Sequence, residues 1–117
     1  MLAENGDVQA AEQAYLALSE NSDIEPLYQD IAILLSVMVA AETGNIQTLM
    51  DRLNPIMSTA NILQGLALEQ GAGLDLRKGD VESAAQKLEQ ISSLSDISAN
   101  LRRRAEQLLT IIVPAQS

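Results

Sequence analysis

The chain of 117 residues contains no cysteine, no histidine, no phenylalanine and no tryptophan. Without thiols it can form neither disulfides nor thiolate metal sites, and its redox compartment stays open. Without imidazole it lacks the commonest general base and metal ligand, so any catalysis would fall to carboxylates, lysine or tyrosine. The composition therefore reads as a non-enzyme with no cofactor and no metal. Tyr15 and Tyr28 are the only aromatic residues, which leaves the core to Leu, Ile, Val, Ala and Met. Cations are scarce as well: seven Lys and Arg stand against sixteen Asp and Glu, a net charge of −9. A field of that sign repels phosphate backbones, so nucleic acid is not an expected partner.

The deficit is uneven, because residues 1–76 carry eleven acids and the single cation Arg52, while residues 77–117 carry five acids and six cations. What the chain does have is 47% apolar content, rich in Leu and Ala and interrupted by only three prolines and six glycines. Those residues favour helices throughout, and the length suits one domain with a core of ordinary size.

One phrase is written three times: Gly6-Asp7-Val8, Gly44-Asn45-Ile46 and Gly79-Asp80-Val81, at intervals of 38 and 35 residues. Counting from each Gly, offset 2 is Val8, Ile46 and Val81, and offset 5 is Ala11, Leu49 and Ala84. Offset 9 is Tyr15, Leu53 and Leu88, and offset 12 is Leu18, Ile56 and Ile91. These offsets share one face of a 3.6-residue period. Each Gly suits the left-handed end of one helix, and the Asp or Asn after it suits the N-cap of the next. Periods of this size mark stacked helical hairpins. The expected helices are about 7–19, 26–43, 45–57, 60–78, 80–93 and 98–113, alternating B and A halves of hairpins. Pro26 begins the second, Ser58 or Thr59 caps the fourth, and Pro114 ends the last. Met1 then falls inside the last turn of an A helix, which reads as a fragment of a longer chain or as an incomplete first hairpin.

Gly followed by Ala at offset 5 and a large residue at offset 9, as in Gly6-Ala11-Tyr15 and Gly79-Ala84-Leu88, resembles the B half of a tetratricopeptide repeat. The middle copy substitutes Leu49, and the A halves depart from that consensus, so the array is a divergent one. Tyr15-Leu16-Ala17-Leu18, Asp30-Ile31-Ala32, Leu66-Ala67, Gly79-Asp80-Val81 and Leu101-Arg102-Arg103-Arg104-Ala105 together resemble a bacterial group, the ancillary subunits of the SecYEG translocon. That resemblance implies a right-handed solenoid of antiparallel hairpins on the periplasmic side of the inner membrane. It also implies an N-terminal anchor outside this chain as the only membrane contact, and a role beside secretory chaperones.

Hairpin stacks offer a concave wall made mainly by A helices, able to hold a peptide or a helix of another protein. Positions thirteen, ten, six and three before Gly44 and Gly79 are expected on it: Ile31, Leu34, Met38 and Ala41, then Leu66, Glu69, Gly73 and Leu76. Met38 and the aliphatics suit a tolerant apolar contact, and Glu69 adds charge selectivity. From Ile31 to Ala41 only Ser36 is polar, so this helix is either buried all round or presents an apolar strip. Eleven residues are too few to span a bilayer, which needs about 20. Two alternatives remain: a homodimer through the stripe Val8, Ala11, Tyr15 and Leu18, and a small apolar ligand held against the 31–41 helix. Arg102-Arg103-Arg104 does not form one patch, because successive helical residues diverge by about 100°. Gly71-Ala72-Gly73 lacks the Lys-Ser or Lys-Thr of a phosphate loop and reads instead as close helix packing.

Overall fold

A computed structural model describes residues 2–113, with side-chain surroundings over 6–113. It is all-helical: α1 Leu2–Ser19, α2 Pro26–Ala40, α3 Ile46–Met57, α4 Gln64–Lys78, α5 Val81–Ser93 and α6 Ala99–Ile112, with no strand among the described residues. Each helix packs on the one before and after it, and α4 touches α2 and α6 as well. The result is an elongated slab of 50 × 34 × 22 Å in which α4 is central.

The three Gly-led phrases take three different conformations. Gly79 is left-handed, with φ 90°, and its N–H donates to the Leu76 carbonyl at 3.0 Å while that of Asp80 reaches back to Asp75 at 2.8 Å. This closes α4 in a Schellman-type turn. The Asp80 carboxylate then accepts from the Ser83 N–H at 3.0 Å and opens α5. Gly44 is not left-handed; Gly79 is the one described residue with positive φ. A Cβ at Gly44 would lie 2.8 Å from the Ala40 carbonyl oxygen and 3.0 Å from Leu49, so close approach, not φ, demands glycine here. Asn45 does cap α3, accepting from the Thr48 N–H at 2.9 Å. Gly6-Asp7 forms no turn at all, because α1 runs unbroken through it. A turn needs a helix on each side to pack together. Continuing the helix keeps the backbone groups of Gly6 and Asp7 paired within it.

Two further boundaries differ from expectation. Helix α2 stops at Ala40, three residues short of the expected 43. Helix α4 begins at Gln64 and not near 60. Ser58 and Thr59 do not cap it, because their hydroxyls donate back to the carbonyls of Asn54 and Pro55 at 2.6 and 3.2 Å, finishing α3. Asn61 organises the junction, its amide nitrogen donating to Ile56 and Thr59 carbonyls and its oxygen accepting from the Leu63 N–H. Ser98 caps α6 through the Leu101 N–H. Pro114 lies outside the described residues.

Offsets 5, 9 and 12 form the core in the second and third copies, since Leu49, Leu53, Ile56, Ala84, Leu88 and Ile91 are all buried, while at offset 2 Ile46 is half-buried and Val81 is exposed. Each large member contributes about 1.5–3 kcal/mol by leaving water. They meet Leu34, Val37 and Ala40 of α2, Ala67, Leu68 and Ala72 of α4, and Leu101 and Ala105 of α6 in one cluster. The first copy is different, since Val8, Ala11 and Tyr15 are half-buried and Leu18 is exposed.

Cations tie helices to one another. Arg52 of α3 pairs with Glu12 of α1 at 2.7 Å, and Lys87 of α5 pairs with the buried Asp75 of α4 at 2.7 Å. Arg77 of α4 donates to the carbonyls of Ala41, at 2.6 Å, and Gly44, beyond the end of α2. Arg102 of α6 does the same at the end of α5, reaching Ser92 at 2.6 Å and Leu94 at 2.8 Å. Both guanidiniums occupy helix C-termini, where orphan carbonyls and the negative dipole end favour a cation.

The contrast between two glycines tests this arrangement. Gly6→Ala is expected to stabilise the chain by about 0.5–1 kcal/mol through helix propensity, and Gly79→Ala to destabilise it by about 1–2 kcal/mol through its left-handed backbone. Urea denaturation showing equal losses for both would mean that Gly6 is a turn after all.

Candidate functional site

Helix α4 is enclosed by α3 and α5 and flanked by α2 and α6, which leaves it one solvent-facing stripe. Leu66, Gly73 and Arg77 are exposed along it, with Glu69 and Gln70 half-buried between, and Ile62 stands exposed just before its first turn. The matching side of α2 exposes Leu27 and Met38 over half-buried Ile31 and Leu35, and Glu42 follows one turn beyond. On α6 the stripe that carries Arg104 also exposes Gln107 and Ile111. Aliphatic and polar side chains share these stripes of three neighbouring helices.

Of the expected wall positions, Met38, 48% exposed, and Leu66, 39% exposed, stand open on this surface. Ile31 is half-buried between them and the core, Ala41 is half-buried beyond the end of α2, and Gly73 faces open space. Leu34 does not belong to the surface: it is 4% exposed and packs in the core cluster. Leu35, its neighbour in sequence, takes the outward place, a difference of about 100° around the helix. Leu76 packs against the core edge.

Glu69 is not a free selector of charge. The Arg104 guanidinium holds its two oxygens at 2.8 and 3.0 Å, joining α4 to α6 with the fork-to-fork geometry that favours Arg. That hydrogen bond, and then the Glu69 charge, raise the Arg104 pKa above its usual value. The sequence carried a signal for this contact, because Arg104 aligns with Leu66 across 38 residues and so falls on the equivalent face of α6. The Arg77 clamp had no such signal. The three consecutive arginines diverge: Arg102 turns to the end of α5, Arg103 to Asn100 and Arg104 to Glu69.

Among the glycines of α4, Gly71 is a packing position, since a Cβ there would lie 2.8 Å from the Met57 sulfur. Gly73 is not, and it leaves the surface low at its centre. A cleft of about 450 Å³ opens at the N-terminal end of α4, lined by Ile62, Gln64, Leu94 and Ile97 among others. No helix among the described residues is long and apolar enough to cross a membrane. The surface offers aliphatic contact interrupted by the Glu69–Arg104 pair.

No protein-family model matches the chain, and no curated protein or solved structure matches it either.

The separation of core from surface on α2 is measurable. Leu34→Ala is expected to cost about 2–5 kcal/mol, as core truncations do, and Met38→Ser less than about 0.5 kcal/mol, as exposed substitutions do. Comparable losses in chemical denaturation would place Met38 in the core and remove it from the surface.

Proposed function

We propose that this chain is a non-catalytic protein-interaction scaffold, a divergent tetratricopeptide-like solenoid that receives a segment of another protein on the face shared by α2, α4 and α6. The observation that carries the reading is the exposure of five large aliphatic side chains, Leu27, Met38, Ile62, Leu66 and Ile111, on three neighbouring helices, because apolar side chains left in water on a small acidic protein are what a protein contact covers. The order of helix packing, with α2, α4 and α6 side by side, supports a hairpin stack whose A helices form the inner wall. The likeness of the Leu-Ala and Gly-Asp phrases to ancillary translocon subunits extends the proposal to the periplasmic side of a bacterial inner membrane, with the anchor supplied by sequence outside this chain.

A second reading has one observation in its favour. Val8, Ala11, Tyr15 and Leu18 repeat the core spacing yet are only partly covered, Leu18 being 47% exposed. A second copy docking on α1 would cover them, and sedimentation showing a monomer at all concentrations eliminates that homodimer. A carrier of a small apolar ligand has less support, because the 31–41 run places Leu34, Val37 and Ala40 in the filled core.

Photo-crosslinkers placed singly at Met38, Leu66, Gln47 and Gln86 test the scaffold in cells. Discrete protein adducts are expected from the first two and not from the last two, which lie exposed on α3 and α5. Adducts from Gln47 and Gln86 alone would move the interaction to the other side of the slab.

A further inference from the structure

We infer that the occupant of this face is a cationic amphipathic segment, with apolar side chains facing the row and Lys or Arg at its flanks; this rests on the scaffold reading. The argument is one of unanswered charge. Residues 1–51 contain no cation at all. The first one, Arg52, is already held by Glu12 at 2.7 Å. Of the two arginines beside the row, Arg104 is paired with Glu69, and Arg77 is held by the Ala41 and Gly44 carbonyls, which fix its position and leave its charge in place.

The carboxylates are not so committed. Glu25 stands exposed at the start of α2, and Glu42 stands exposed one turn past Met38. They bracket Leu27, Ile31 and Met38, a row about 16 Å long at the rise of an α-helix, which matches three turns of a partner helix. Glu20 and Asp23 add further exposed negative charge in the loop before α2.

Net charge separates the candidate occupants. A second copy brings −9 to a face whose own molecule carries −9, and an anionic lipid surface or a nucleic acid meets the same repulsion. A segment with apolar anchors and flanking cations gains from both features at once: burial of the row fixes it, and the carboxylates steer and orient it.

Two labelled probe peptides test this by fluorescence anisotropy: a helical Leu/Ala stripe flanked by Lys, and the same stripe flanked by Glu. The Lys peptide is expected to bind the full chain at least about tenfold tighter in about 50 mM salt, with the gap shrinking severalfold in about 300 mM. Met38→Ser and Leu66→Ser should weaken it, and Glu25→Lys with Glu42→Lys should abolish the preference while the circular dichroism spectrum stays unchanged. If both peptides bind alike and Met38→Ser and Leu66→Ser weaken both, the scaffold reading stands and the cationic partner is overturned. If neither peptide binds, or binding ignores Met38 and Leu66, both readings fall. A dimer in sedimentation velocity that Met38→Ser dissolves would assign the face to a second copy and also overturn the inference.

Discussion

How closely four helices can approach α4 decides the rest of the molecule. With no aromatic side chain in the buried core to fill wide gaps, the helices must come near one another, and α4 permits it by presenting small residues on its packing faces. Ala67 and Ala72 are wholly buried. Gly65 and Gly71 are tighter still, since a Cβ at either would lie 2.8 Å from a neighbour, Leu101 in one case and Met57 in the other. An interior glycine such as Gly71 costs roughly 1 kcal/mol in helix propensity. That loss is small against the burial of Leu53, Leu88, Ile91 and Leu101 that the close approach allows.

The same crowding explains why the remaining stripe of α4 is a surface. Helices on its flanks and behind it take every direction but one, and that direction carries Leu66 and Gly73. It is flanked by α2 and α6, positioned by the clamps at Arg77 and Arg104. A guanidinium that satisfies the carbonyls of Ala41 and Gly44 orders the end of α2, just beyond Met38, from a helix more than thirty residues away. Core packing fixes how near the helices lie, and these polar contacts fix where they stand along one another.

Period and capping chemistry were legible in the residues because both are local. The stripe through Leu49, Leu53 and Ile56 and its copy at Ala84, Leu88 and Ile91 follow from helical spacing, and the Gly79-Asp80 turn follows from backbone freedom and a carboxylate in the right place. What misled was sameness of letters in different surroundings. Gly6-Asp7 reads like Gly79-Asp80, yet a turn exists only where two helices pack across it. Ser58 and Thr59 look like caps for the next helix, yet a hydroxyl can equally bond backward, and the tertiary fold chooses. Leu34 and Leu35 are indistinguishable as letters, while one residue of phase separates core from surface. Contacts such as Arg77 with Ala41 were hidden because they join distant segments without any pattern in spacing.

Charge joins the interior to the exterior. A chain with seven cations and sixteen acids has few positive groups to place, and five of them, Arg52, Arg77, Lys87, Arg102 and Arg104, fasten one helix to another or to its end. Lys87 shows why this use is hard to exchange: Asp75 is buried, and a buried carboxylate stripped of its cation is strongly unfavourable. The carboxylates left over therefore stand on the outside in excess, most of all along α1, α2 and their loop. The negative field at that end of the slab is then a consequence of how the helices are held together.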